Sequence, residues 1–182
     1  VTDINWNVGG GDMTSVTAYR EIETIVEATD QDGTGLRLVY TDRRPDLADP
    51  GYDQDQFSQE LRYAIDLSDR VNLTTGVYYF TQDVQARERT SVLTDVIPIP
   101  FPGRVAVTNG FLEHETYGFF AQGDIDLTKS LVLTLGSRFT SEDKDVRFSL
   151  AGTCDLNFAG CTFFEDDKTW DNVSYKVGLQ WR

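Results

Sequence analysis

Long apolar runs are missing from this chain of 182 residues: no segment approaches the roughly 18 apolar residues that a membrane-spanning helix requires. Positive charge is also scarce, with 16 Lys and Arg against 30 Asp and Glu and a formal net charge of −14. A chain this acidic repels phosphate backbones, which excludes nucleic acid as a partner. Val1, Thr2 and Asp3 do not form the basic start of a signal peptide, so we expect that the chain is cut from a longer one.

Chemically reactive side chains are few. His114 is the single histidine, and none of the common hydrolase, metalloprotease or phosphate-binding motifs occurs. We therefore expect no catalytic residue, no cofactor and no enzyme activity. The two cysteines, Cys154 and Cys161, are too few for a zinc site, which takes four ligands. A disulfide that closes a short loop is the favoured interpretation, and it implies an oxidising compartment.

One acidic segment resembles part of a calcium-binding loop. In DQDGTG, Asp30 and Asp32 occupy the first and third ligand positions, and Gly35 occupies the sixth. The ninth position is Leu38, and the twelfth, which needs a bidentate Glu, is Thr41. An acidic turn without a metal ion is therefore the favoured interpretation of this segment.

Period-two alternation of apolar and polar residues recurs along the chain, and helical periodicity is nearly absent. The alternation predicts seven strands, at about residues 3–8, 12–27, 55–66, 70–88, 113–126, 131–149 and 170–182. The expected fold class is therefore all-β, an antiparallel up-and-down meander.

The predicted connections alternate strictly between short and long. The short ones are three or four residues of turn-forming type, such as Gly9-Gly10-Gly11. The long ones span residues 28–54, 89–112 and 150–169. In an up-and-down sheet every second connection lies at the same end, so one end carries only tight turns. This asymmetry is typical of bacterial outer-membrane barrels, and compact domains rarely need several loops this long.

The predicted strands have one apolar and one polar side. The apolar side carries Phe57, Leu61 and Ile65 of the third strand, Val71, Leu73, Val77 and Tyr79 of the fourth, Tyr117, Phe119, Ala121, Gly123, Ile125 and Leu127 of the fifth, Leu131, Leu133, Leu135 and Phe139 of the sixth, and Val173, Tyr175, Val177, Leu179 and Trp181 of the seventh. Each apolar stretch covers about 9–11 residues, the length of a tilted strand across a bilayer. Aromatic residues lie where interfacial girdles are expected. The same pattern is compatible with a soluble sandwich whose core these residues fill.

Three blocks carry a resemblance to a known family: FSQELRYAIDLSDRVNLTTGVYYFTQD, YGFFAQGDIDLTKSLVLTLGSRFTSEDKDV and WDNVSYKVGLQWR. In this order they resemble the barrel of TonB-dependent outer-membrane receptors, over about residues 55–182. The resemblance implies a barrel of about 22 strands whose lumen is closed by an N-terminal plug domain. It also implies import of a scarce ligand, such as an iron–siderophore complex, driven through the inner-membrane TonB complex.

Seven strands are about a third of such a barrel. We therefore expect residues 1–182 to be one partial barrel domain, an arc of a large transmembrane β-barrel with neither the plug domain nor the closing C-terminal strand. Its partners would be outer-membrane lipid, the plug of the full-length protein, the TonB complex and the small-molecule ligand. The expected location is the outer membrane of a Gram-negative bacterium.

Charged residues on the polar side are candidates for contact with the plug or the ligand. They are Glu60, Arg62, Asp66, Asp124, Asp126, Arg138 and Lys176. Cross-strand ion pairing in a wet lumen is the simpler role for any one of them. Arg62 and Arg138 are preferred as plug contacts, because guanidinium pairs with carboxylates in a bidentate manner. The apolar loop VIPIPFPG, residues 96–103, either contacts the ligand or plug or packs on neighbouring loops.

The sequence thus favours a segment of a TonB-dependent receptor. Two alternatives remain open: a passive porin-like or adhesin-like outer-membrane barrel, and a soluble β-sandwich binding module.

Overall fold

A computed structural model of the chain describes residues 1–30, 39–92, 105–150 and 152–181. Within these ranges the chain forms nine strands: β1 Thr2–Val8, β2 Gly11–Ile25, β3 Ala28–Asp30, β4 Val39–Asp42, β5 Gly51–Ser68, β6 Val71–Val92, β7 Val105–Thr128, β8 Leu131–Ser149 and β9 Phe163–Trp181. In this part of the chain, no helix is long and apolar enough to cross a membrane.

The strands form one antiparallel sheet in the order β1-β2-β5-β6-β7-β8-β9. β3 pairs with β4, and β4 joins the sheet by a short pairing with β6. Apart from the step from β2 to β5, which passes over β3 and β4, consecutive strands pair with each other, so the sheet is a meander. The prediction of an all-β, up-and-down antiparallel fold is confirmed.

All seven predicted strands are present, but several are longer than predicted. β7 has 24 residues, or about 80 Å at the usual rise of a strand. The predicted loops 89–112 and 150–169 are in part the ends of β6, β7 and β9, and the predicted loop 28–54 contains the missed β3 and β4. Charged residues such as Arg89 and Asp166 concealed the ends of β6 and β9, whereas the missed end of β7, Val105–Leu112, carries no charge.

Two tight turns also differ slightly from the prediction. Strand β5 continues through Leu67 and Ser68, which leaves Asp69 and Arg70 as the turn. Strand β7 likewise continues through Leu127 and Thr128, which leaves Lys129 and Ser130 as the turn. A register shift between Asp126 and Thr128 marks an irregularity just before this turn. Gly9 and Gly10, with φ of 60° and 82°, form the first turn in a conformation that glycine adopts without strain.

The register places the predicted apolar residues on one face. Across β6, β7 and β8, for example, Val77 pairs with Phe119, and Phe119 pairs with Phe139. No second layer covers this face in the described structure: Phe119 is 62% exposed and Tyr175 is 79% exposed. This apolar band, which comprises the odd-numbered residues 71–79, 117–125, 131–139 and 173–181, therefore faces a surrounding that is not protein core.

Aromatic side chains line the border of the apolar band on the loop side. The rings of Tyr79 and Tyr117 lie 5.0 Å apart between centroids, and those of Phe57 and Tyr79 lie 6.3 Å apart. Beyond this border the same face becomes acidic, with Glu115 and Asp143 in the next paired positions. The strands thus change from an apolar band through an aromatic row to a charged part. We call this part, from Glu115 and Asp143 to the long loops, the outer extension.

A small core forms at the loop end of the outer extension, on the same face as the apolar band. Val107 is 2% exposed and Arg89 is 1% exposed, because residues 43–50 and 152–162 fold over them. Phe158 of the second segment is also buried. Segments distant in sequence therefore meet on one side of the β6–β7 pair.

Candidate functional site

The polar face of the sheet holds the charged residues that the sequence singled out. Glu60 and Arg62 lie two residues apart on β5, where Arg62 Nε donates to Glu60 Oε1 at 3.0 Å. A second nitrogen of the same guanidinium also contacts this oxygen. The two charges therefore compensate each other within one strand.

A row of hydrogen bonds crosses β7, β8 and β9 near the tight turns. Lys176 Nζ donates to Gln122 Oε1 at 3.0 Å, and Gln122 Nε2 donates to Asp124 Oδ2 at 3.2 Å. The hydroxyl of Thr134 donates to Asp124 Oδ1 at 2.5 Å. The structure thus connects Lys176 and Asp124 through Gln122, an uncharged residue that the charge pattern alone did not single out.

Arg138 occupies a place of its own on this face. Its guanidinium lies over the ring of Tyr78, with the central carbon 5.4 Å from the ring centroid, and its Nε donates to Thr140 Oγ1 at 3.2 Å. Gly118 leaves room for this reach across β7: a Cβ there would lie 3.1 Å from a guanidinium nitrogen, which would have to shift slightly. Arg138 and Lys176 line one shallow cavity of about 260 Å³.

The remaining two acidic candidates lie close to the tight turns. Asp66 Oδ1 accepts a hydrogen bond from Asn72 Nδ2 at 2.9 Å, across the β5–β6 turn. The backbone N–H of Asp126 donates to the carbonyl of Arg70 at 2.8 Å. The structure therefore does not gather all the candidates into one cluster: they spread along one face, from β5 to β9.

A second polar cluster lies on the same face, in the outer extension. His114 Nε2 is 3.0 Å from Glu142 Oε1, and Lys144 Nζ is 2.6 Å from the same oxygen. The hydrogen bond from Lys144 is the main cause of a lowered pKa of Glu142, and His114 adds to it. Phe80 packs edge-on against the imidazole, with ring centroids 5.2 Å apart. The sequence showed His114 between two glutamates, but its partner is the distant Glu142.

Trp170 extends this cluster toward β9. The ammonium groups of Lys144 and Lys168 lie 5.7 and 5.3 Å from the centroid of its ring. Such contacts stabilise a cation over an indole. Sequence reasoning missed this group, although Trp170, Lys168 and Glu142 occupy even-numbered positions on the polar face.

Other predicted features have separate outcomes. The structure joins Cys154 and Cys161 in a disulfide with an S–S distance of 2.07 Å. Most of the DQDGTG segment and all of VIPIPFPG lie outside the described residues. Among the side chains that the structure does describe, no group of three or more His, Cys, Asp or Glu is arranged to hold a metal ion.

Known proteins resemble the chain in sequence profile and in three-dimensional structure. The profile of the family described as "TonB dependent receptor-like, beta-barrel" matches residues 2–182. No curated protein sequence matches the chain. Among solved structures, the ferric yersiniabactin uptake receptor FyuA from Yersinia pestis has a similar fold, with a TM-score of 0.65 and 13% sequence identity.

The similarity to FyuA covers 96% of this chain and 24% of that receptor, so the chain spans about a quarter of its length. At this identity the likeness concerns the fold alone. The family profile, however, extends over nearly the whole chain and agrees with the open, single-layered sheet. The chain belongs to the family of TonB-dependent receptor-like β-barrels, and its sheet is an arc of such a barrel.

Proposed function

We propose that residues 1–182 form part of the wall of a TonB-dependent receptor in the outer membrane of a Gram-negative bacterium. The receptor imports a scarce ligand, and an iron–siderophore complex is the leading candidate. The main supporting observation is the continuous exposed apolar band, backed by a polar face across the same strands. Such a sheet needs lipid on one side and water on the other.

The proposed mechanism assigns the two faces to different partners. The apolar band contacts outer-membrane lipid, and the polar face lines the lumen, where the plug domain sits. Loops at the end opposite the tight turns capture the ligand, and the TonB complex then drives rearrangement of the plug. Residues 1–182 constitute one domain that supplies wall and loops, without a catalytic role.

Arg138 is the leading candidate for a plug contact. Within the described residues no carboxylate forms an ion pair with it, whereas Arg62 is already paired with Glu60. A guanidinium that is not compensated by its own barrel wall is available to a carboxylate of the plug. Lys176 borders the same cavity, and hydrogen bonds of Gln122 connect Lys176 to Asp124.

Replacing Arg138 tests this contact. In the full-length receptor, Arg138→Ala should loosen the plug and admit vancomycin without TonB, so the cells become more sensitive to it. Arg147→Ala is a matched control, because Arg147 stacks on Phe111 on the opposite face, with 4.8 Å between its central carbon and the ring centroid. Equal sensitivity of the two variants would contradict the assignment.

A passive porin-like or adhesin-like barrel is the alternative that shares this wall. The soluble sandwich is disfavoured, because the described strands form one sheet with no second sheet packed on its apolar face.

An uptake measurement distinguishes the two membrane functions. Cells that express the full-length receptor should accumulate a radiolabelled ferric complex from a panel of hydroxamates, catecholates and phenolates. An uncoupler or loss of TonB should abolish that accumulation, whereas uptake insensitive to both would support passive diffusion.

A further inference from the structure

Leu150 and residues 152–162, between β8 and β9, belong to a compact loop that we call the strap. Asp155 organises its tip: Asp155 Oδ1 accepts hydrogen bonds from the backbone N–H groups of Asn157, at 2.8 Å, and Ala159, at 3.0 Å. At its base the N–H of Leu150 donates to the carbonyl of Thr162 at 2.8 Å. The disulfide between Cys154 and Cys161 closes the ring between tip and base.

The strap touches a segment more than a hundred residues away. Asn157 Oδ1 accepts a hydrogen bond from the N–H of Ala48 at 2.9 Å, while the Ala48 carbonyl accepts one from Arg89 Nη2. The ring of Phe158 covers the same guanidinium, with 5.1 Å between the central carbon and the ring centroid. Both polar groups of Ala48 are therefore held, one by the strap and one by the barrel wall beneath it.

Phe158 is the residue on which these contacts depend. It is 7% exposed, and its carbonyl accepts a hydrogen bond from Asn109 Nδ2 at 3.3 Å. Its φ is 62°, a left-handed conformation that a bulky aromatic residue rarely adopts and that persists only where the surroundings impose it. Without a constraint on the loop, Phe158 would relax toward negative φ and leave its position.

Arg89 lies beneath the closed strap with part of its guanidinium unsatisfied among the described residues. Its Nε and Nη1 are buried and have no hydrogen-bond partner in the described part of the chain, so the closed strap leaves two donors of a cation unsatisfied. Water would reach these donors if the strap lifted, which offsets part of the lost packing.

We propose that the strap is a redox-sensitive latch that pins residues 43–50 to the outer side of the barrel wall. A dithiol reductant opens it by a two-electron exchange: the Cys154–Cys161 bond breaks, both sulfurs become thiols, and the dithiol closes to a cyclic disulfide. The freed loop lets Phe158 leave Arg89, and residues 43–50 lose the bond from Ala48 to Asn157. The barrel strands keep their pairing, since the β8–β9 ladder ends at Ser149 and Phe163, outside the ring that the disulfide closes.

Hydrogen exchange of the full-length receptor in detergent tests the latch. Dithiothreitol should raise amide exchange in the peptide that covers residues 43–50 at least tenfold and speed tryptic cleavage after Arg43. Phe158→Ala should produce the same change without reductant. In Cys154→Ser/Cys161→Ser, exchange should be fast from the start and unaffected by dithiothreitol. Phe164→Ala removes an exposed aromatic ring outside the strap and should change nothing.

Two results would overturn the proposal. In one, thiol labelling shows two free cysteines while exchange at residues 43–50 stays unchanged, or Phe158→Ala leaves it unchanged. In the other, exchange also rises around the distant turn at Asp69 and Arg70, which would show that the bridge supports the barrel as a whole. Neither readout involves transport, so the proposed function stands or falls separately.

Discussion

Gly76 lies in a row of paired polar-face residues that runs from Arg62 through Gly76 and Phe120 to Arg138. A Cβ at this position would lie 2.5 Å from Phe120 Cζ and 2.7 Å from the carbonyl oxygen of Leu61. The absence of a side chain therefore lets Phe120, the one aromatic exception on the polar side of its strand, lie flat over the sheet.

Gly76→Ala should destabilise the folded barrel by about 1–3 kcal/mol, because the neighbouring ring must move and the backbone oxygen cannot. Gly123→Ala is a matched control: the nearest atom to its Cβ would be 4.0 Å away. Urea titration of the full-length receptor in detergent measures both. A similar midpoint for the two variants would show that Phe120 repacks freely.

The lowered pKa of Glu142 predicts how the stability of the outer extension changes at acidic pH. Its pKa lies below the usual value of 4.5, chiefly because it accepts a hydrogen bond from Lys144. A carboxyl whose folded pKa is lowered contributes stability that is complete above its unfolded pKa and is lost as pH falls through the folded value. The receptor should therefore lose this contribution as the pH drops below about 4.5.

Glu142→Gln should lower stability at neutral pH and reduce the loss of stability between neutral pH and pH 3, since the amide does not titrate. Thermal melting of both forms across this range gives the measurement. Asp171→Asn serves as the control: Asp171 is an exposed residue of β9 on the opposite face. Parallel pH profiles for wild type and Glu142→Gln would contradict the role of this carboxylate.

At the scale of the elements, each long strand has three zones along its length. In β7 these are the apolar residues from Phe119 to Ile125, the aromatic residue Tyr117 and an acidic stretch that contains Glu113 and Glu115. The acidic stretch lies outside the apolar band, so a strand can continue as a strand without placing charge in hydrocarbon. This arrangement accounts for strands longer than a bilayer crossing requires.

A charge at the centre of the apolar band should be costly only on the lipid side. Val177→Arg should destabilise the barrel by about 2–4 kcal/mol, because Val177 lies mid-band on the apolar face. Gln180→Arg, at an exposed position on the polar face of the same strand, should have little effect. Heat-modifiable mobility on gels measures the folded fraction of each variant. Equal folding of the two would contradict the lipid-facing assignment.

At the scale of the whole molecule, the described sheet is one layer thick and has little core. The small core around Val107 covers only the loop end, and the buried Val132 lies on the polar face, outside the apolar band. A single layer of this kind cannot bury its apolar face against itself. We therefore expect its stability to depend on lipid and on the neighbouring wall.

The isolated segment 1–182 should consequently aggregate in water and disperse in detergent micelles. Its apolar band and the unpaired outer edges of β1 and β9 would both promote association. Size-exclusion chromatography with and without detergent tests this expectation. A monodisperse, sharply melting monomer in detergent-free buffer would contradict the membrane assignment as a whole.

Much of the fold could be predicted because local alternation and turn residues agree. Leu133 and Leu135 alternate with Thr134 and Gly136, and such a period-two pattern indicates both the strand and its faces. Strands β3 and β4 were missed because three or four residues give too short a pattern. The same limit applied to the candidate site: charge alone singled out Asp124 and Lys176, but not Gln122 between them.

The sequence by itself determined the antiparallel meander and its two faces, because these follow from residue spacing along the chain, and its three blocks carried the resemblance to the family. Only the tertiary structure decided which distant groups meet. His114 with Glu142, and Ala48 with Asn157 across 109 residues, are set by strand register and loop path. No local pattern encodes such contacts, since their free energy arises only after the sheet has brought the segments together.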